Sequence, residues 1–228
     1  MATHLDLEEQ EQLDQLKAFW KRYGNLITWT LIAVLGSYAA WNGWNLWQRN
    51  QAANAGAMYD QLEQAAQVGD ADRAARIFGD LKDRYPGTAY AEQAGLLTAK
   101  TQFDKGQIDK ARGSLEWVAD KAAQPEYQAI ARLRLAGILL DEKKYDEALK
   151  QVDAVSAKAF EALAADRRGD ILLAQGKTDD AKAAYLRAWK AMDPGLEYRR
   201  LIDAKLTALG AAPEAPAPLP GAAGEVAK

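Results

Sequence analysis

The side chains that ordinarily carry enzyme chemistry are scarce in this chain. There is one histidine, His4, and no cysteine, and the carboxylates often stand side by side, as in Asp141-Glu142 and Asp179-Asp180. Without a thiol there is no disulfide, thiolate zinc site, lipid-bearing cysteine or cysteine nucleophile. His4 sits in the N-terminal tail with no partner that spacing would bring to it. Adjacent carboxylates on a helix project to different faces, so these pairs suit solvation or helix capping better than general acid–base work. No GxxxxGK[ST], GxGxxG or GxSxG motif occurs, nor a cluster with metal-ligand spacing. The sequence therefore reads as a non-enzyme with no cofactor, no metal and no small-molecule substrate. A net charge of −3, with no grouping of Lys and Arg among aromatics, lacks the basic excess that phosphate neutralisation needs. Nucleic acid is not an expected partner.

What remains is protein and membrane recognition, and the elements that would present it are visible along the chain. Residues 26–47 read LITWTLIAVLGSYAAWNGWNLW, 22 positions without a charge. At about 1.5 Å per residue that helix would match a hydrocarbon core of about 30 Å. Trp20 and Tyr23 flank one end and Trp41, Trp44 and Trp47 the other, where amphipathic rings favour the headgroup level. A cleaved signal peptide is the rival, since Ala53-Asn54-Ala55 and Ala55-Gly56-Ala57 both fit a small-x-small site. The 25 residues before the run include Asp6, Glu8, Glu9, Glu11 and Asp14, unlike a short basic leader. An uncleaved transmembrane helix at 26–47 is expected, after a tail at 1–25. Lys17, Lys21 and Arg22 precede it, whereas Arg49 stands alone on the far side until Arg73, which keeps the N-terminus cytoplasmic and exports the rest. Gly36, Ala39, Ala40 and Gly43 form a small-residue face on which another helix could pack.

After Arg49 the chain is rich in Ala, Leu, Gln, Glu, Lys and Asp, which favours helix. Gly69-Asp70-Ala71-Asp72-Arg73-Ala74 recurs as Gly106 through Ala111, Lys143 through Ala148, and Gly176 through Ala181; the four alanines are 37, 37 and 33 residues apart. A turn five residues before a packed alanine fits a helix–turn–helix repeat. Large side chains follow four residues later at Phe78, Leu115, Val152 and Tyr185, and a second set at Leu81, Val118, Val155 and Ala188. On these residues the chain resembles the tetratricopeptide repeats, which use such positions to wedge the second helix of a hairpin on the first. Pro86 and Gly169 match that pattern, whereas Lys143 stands for the turn glycine, Ala123 and Phe160 for the terminal proline, and Gln102 for a large apolar residue.

The resemblance implies an all-α fold, an N-terminal single transmembrane helix followed by a tetratricopeptide-like helical-hairpin solenoid. Hairpins are placed at 54–86, 88–123, 126–159 and 161–192 within a repeat domain at 48–209, closed by a helix near 196–209. The Pro/Ala-rich segment at 210–228 is expected to be disordered. Stacked repeats present a concave surface lined by first helices. Counted back from the packed alanines, the groove candidates are Tyr59, Glu63, Lys100, Phe103, Asp166 and Asp170. Tyr59 and Phe103 suit hairpin packing equally well.

The acidic start, Leu13, Leu16, Lys17, Phe19 and Trp20, the expected Tyr23-Gly24-Asn25 turn, the single span and the four hairpins together resemble the ancillary Sec translocon subunit family, the YfgM-like proteins of bacterial inner membranes. That resemblance implies a single-pass inner-membrane protein with a periplasmic repeat domain, associated with the Sec translocon channel and with a periplasmic membrane-anchored chaperone. From residues alone the reading stops at an exported protein-binding scaffold. A scaffold for envelope assembly, serving cell-wall or cytochrome maturation, is the alternative.

Overall fold

The computed structural model describes residues 7–212; His4 and the Pro/Ala-rich segment beyond 212 lie outside them. Among the described residues the regular structure is helical throughout. The helices are α1 (Leu7–Gln67), α2 (Ala71–Arg84), α3 (Ala89–Asp104), α4 (Ile108–Lys121), α5 (Pro125–Asp141), α6 (Tyr145–Asp153), α7 (Glu161–Ala174), α8 (Thr178–Ala191) and α9 (Tyr198–Ala208), with a 3-10 turn at Lys158–Phe160 before α7. By its contacts the chain divides into two units, residues 1–53 and 54–228.

In the first unit α1 continues through Tyr23, Gly24 and Asn25, so the expected turn there is absent. The segment gains nothing by breaking, because its residues are fair helix formers and a single glycine costs a helix only about 1 kcal/mol. The expected transmembrane segment meets a limit. No helix among the described residues is long and apolar enough to cross a membrane. Since α1 has 61 residues, apolarity is what falls short: Thr28, Trp29, Thr30, Ser37, Tyr38, Trp41 and Asn42 dilute the aliphatic run. Gly36, Ala39, Ala40 and Gly43 are exposed along α1, and a Cβ added at Gly36 or Gly43 would meet nothing.

The second unit is built by repetition. Each hairpin alanine, Ala74, Ala111, Ala148 and Ala181, is buried, as are the wedge residues Phe78, Leu115, Val152 and Tyr185 that follow. Four apolar clusters result, and three of them join one hairpin to the first helix of the next. Leu62, Phe78, Leu81 and Ala91 unite α1, α2 and α3, while Leu96, Leu115, Val118 and Leu135 unite α3, α4 and α5. Ala136, Leu139, Val152 and Ile171 then link α5 and α6 to α7. After the fourth hairpin α9 covers its edge with Ile202 and Leu206, both fully buried against Tyr185 and Ala188. In the third hairpin α6 ends at Asp153, short of Val155, so that the second wedge residue is only partly buried.

Polar positions inside this array are paired across helices. Gln102 accepts a hydrogen bond from the Ser114 hydroxyl at 2.8 Å, which explains how an amide replaces the apolar residue usual there. Glu92, almost fully buried, accepts the Ala123 backbone N–H at 2.7 Å just ahead of α5. Burial holds the Glu92 carboxyl above its ordinary pKa, with the N–H bonds of Ala123 and Gln124 opposing that rise.

The turns repeat one geometry. The N–H of Asp70 bonds the Ala65 carbonyl, and Gln107, Lys144 and Lys177 bond Gln102, Leu139 and Leu172 in the same five-residue closure. That closure places the preceding residue in the left-handed region, at φ 70° for Gly69, 73° for Gly106 and 77° for Gly176. Lys143, the residue that stands for glycine in the third turn, is held at φ 60°. A side chain there costs about 1–2 kcal/mol. Against this, glycine adds freedom to the unfolded chain. We expect Lys143→Gly to raise stability by about 0.5–1 kcal/mol, read as a higher urea midpoint at unchanged slope; a fall would show that Lys143 makes compensating contacts.

Candidate protein-binding groove

The first helices α3, α5 and α7 converge on a cavity of about 590 Å³. Its apolar lining includes Phe103 from α3, Ile130 and Leu133 from α5, Phe160 from the 3-10 turn, Leu163 from the first turn of α7, and Leu115 from α4. Helical spacing puts Ile130, Leu133 and Gly137 on one face of α5, and the Pro125 start fixes where that face begins. Phe103, on the last turn of α3, remains 45% exposed although it is a large aromatic, so the cavity leaves it open to a partner.

The charged rim consists of Lys100, Arg134, Arg167 and Asp141. Lys100 is occupied by Asp104 at 2.5 Å, one turn along the same helix. Arg167 pairs with Asp170 at 3.6 Å. Arg134 donates to the Leu96 carbonyl at 3.2 Å, and burial pulls its guanidinium below the ordinary pKa.

Of the six residues expected in the groove, Lys100 and Phe103 stand together in the cavity wall. Tyr59 and Glu63 lie elsewhere: Tyr59 packs at a tilt against Tyr90 with ring centroids 5.8 Å apart, and Glu63 is exposed on α1. Burial first, then the Glu63 charge, pushes the Tyr59 hydroxyl pKa up. Asp166 and Asp170 are a correction, because the fold itself consumes them. Asp166, 2% exposed, accepts from the Tyr198 hydroxyl at 2.8 Å and from the Lys205 ammonium at 2.8 and 2.9 Å. Asp170 accepts from the Tyr185 hydroxyl at 2.8 Å and from Lys205 at 2.6 Å. Both tyrosine hydroxyls are held above their ordinary pKa, mainly by burial and then by these carboxylates. The closing helix thus reaches back across the residues that counting had assigned to a partner. Arg134 was missed by that count, yet a signal was present: Arg134 and Arg167 each lie fourteen residues before a packed alanine, Ala148 and Ala181. Among the described residues no group of three or more His, Cys, Asp and Glu side chains is placed to hold a metal ion.

The stack of helical hairpins matches what comparison with known proteins finds. The model of a tetratricopeptide repeat-like domain family matches residues 17–211. An ancillary SecYEG translocon subunit of Neisseria gonorrhoeae is 33% identical over 214 residues, covering 92% of this chain and 100% of that protein. The chain belongs to the ancillary SecYEG translocon subunit family. Proteins of the same description from Haemophilus influenzae and Escherichia coli are 30% and 28% identical, over 80% and 78% of this chain and 89% and 85% of their own lengths. The tetratricopeptide repeat-like family match takes in much of α1 as well as every hairpin.

Proposed function

We propose that this protein is a membrane-anchored scaffold of the Sec translocon whose repeat groove holds polypeptide segments on the exported side, next to a membrane-anchored chaperone. The observation that carries the reading is the cavity across α3, α5 and α7, with Phe103 and Leu133 open to a guest, in a chain of this family. Placement in the inner membrane rests on residues 26–47. Leu26, Leu31, Ile32, Val34 and Leu35 are more than half exposed, as no solvated helix prefers. The hydroxyls of Thr28, Thr30 and Ser37 donate to the carbonyls of Gly24, Leu26 and Ala33 at 2.8, 2.8 and 2.7 Å. Those bonds satisfy the threonine and serine hydroxyls within the helix, and the indoles that lower the averaged hydropathy are the side chains that headgroup regions favour. The Gly36, Ala39, Ala40 and Gly43 face would let a channel helix approach closely. The residues after Arg49 are then periplasmic and the N-terminus cytoplasmic.

The test is purification of the full chain from membranes in mild detergent, with protease added to intact spheroplasts beforehand in a parallel sample. SecYEG should accompany the untreated protein, and protease should remove the repeats while sparing the N-terminal peptides. Absence of SecYEG, or protection of residues 54–212, would overturn the respective half of the proposal.

A further inference from the structure

We propose that Arg134 is the receptor for a carboxylate, so that the groove selects apolar polypeptide segments carrying a glutamate or aspartate. The inference rests on the reading of the cavity as a polypeptide groove and specifies what enters it. Charge is the argument. Of the three cations in the wall, Lys100 and Arg167 already have carboxylate partners, Asp104 and Asp170. Arg134 has none within ion-pair reach among the described residues; Asp141, two turns further along α5, lines the same cavity without pairing with it. The one polar contact it makes, to the Leu96 carbonyl, leaves most of its five N–H donors free.

Its surroundings raise the worth of an incoming charge. Arg134 is itself an exposed residue, but Phe103, Leu133 and Leu163 line the same cavity, and the partial desolvation of its guanidinium already disfavours the charged form. A carboxylate bound there would relieve that penalty and could take two parallel N–H bonds from the guanidinium fork, while flanking apolar side chains cover the lining. A lysine on the guest would meet the unpaired Arg134, with only Asp141, two turns along α5, to offset the repulsion. The groove therefore holds a guest by apolar contact and chooses among guests by charge.

Fluorescence anisotropy on the full chain in lipid nanodiscs tests this, with empty nanodiscs as background. The probe is a fluorescein-labelled peptide of sequence Gly-Leu-Phe-Glu-Leu-Gly with blocked ends, alongside versions carrying Gln or Lys at the fourth position. The Glu peptide should bind about tenfold more tightly than the Gln peptide, the equivalent of one charge-assisted bond, and the Lys peptide more weakly than either. Arg134→Gln should erase the preference for Glu over Gln, with an unchanged urea midpoint showing that the variant is folded. Arg134→Lys should keep part of the preference, and Phe103→Ala should weaken all three peptides alike. Equal binding of Glu and Gln peptides by the wild type, or a preference that survives Arg134→Gln, overturns the assignment of Arg134 and leaves the groove reading standing. Failure of every peptide to bind above background overturns the groove reading and this inference with it.

Discussion

Lys205→Met is expected to cost about 3–5 kcal/mol, one of the two largest effects in the repeat domain, because it strands a buried carboxylate. Asp166 is almost fully buried and receives both Lys205 contacts at 2.8 and 2.9 Å; without them it keeps only the Tyr198 hydroxyl. Asp170 retains Tyr185 and Arg167, so the loss falls mainly on Asp166. Methionine keeps an unbranched apolar side chain but removes the ammonium that lies 5.1 Å from the Tyr185 ring centroid, so the loss is mainly one of charge and not of side-chain volume. The readout is a lower urea midpoint together with faster amide exchange in α9, whose Ile202 and Leu206 would lose their docking. Adding Asp166→Asn to Lys205→Met should recover part of the stability, since the amide oxygen still accepts from Tyr198 and no charge is left unpaired. A double variant no more stable than Lys205→Met would show that the buried charge is not what matters.

That network marks where sequence reading stopped. The hairpins were legible because their signals are local: an alanine at each helix crossing, a wedge residue four positions on, and a residue in the left-handed turn five before it. Even the substitution of Lys143 for glycine was visible, and the backbone adopts the same φ because the five-residue closure demands it. The partners of Asp166 were not legible. Tyr198 and Lys205 stand 32 and 39 residues away on the closing helix, and no repeat sets the register of α9 against α7. Counting from the alanines gives positions on a helix face, and it cannot tell a face turned to a guest from one covered by the next element. Lys100 and Phe103 stay exposed in the cavity wall, whereas Asp166 is closed because Tyr198 and Lys205 of α9 cover it. The expected break at Gly24 failed for the opposite reason: it relied on one glycine, and helix propagation through a single glycine is affordable.

Gly169→Ala should cost about 2 kcal/mol, although the same change on an open helix surface stabilises by about 0.5–1 kcal/mol. A Cβ at Gly169 would lie 2.4 Å from a ring carbon of Tyr185 and 2.5 Å from the next. That ring cannot step aside: it is 1% exposed, packed on Ala181 and Ala188, and tied by its hydroxyl to Asp170 at 2.8 Å. Helix α7 must therefore rise from α8, and α7 carries Leu163 and Arg167 into the groove wall. Gly113 supplies the control, since it lies inside α4 and a Cβ there would meet nothing within 4 Å. Gly113→Ala should raise the urea midpoint while Gly169→Ala lowers it, so the sign of the change reports the crossing and not helix propensity. Tyr185→Leu in the Gly169→Ala background should lose less than the two single losses combined, because the shorter side chain gives back the space that the methyl needs. If the losses simply add, Tyr185 is not the obstacle; if Gly169→Ala stabilises like Gly113→Ala, α7 and α8 do not cross as closely as the buried tyrosine requires, and the groove wall built on that crossing must be redrawn.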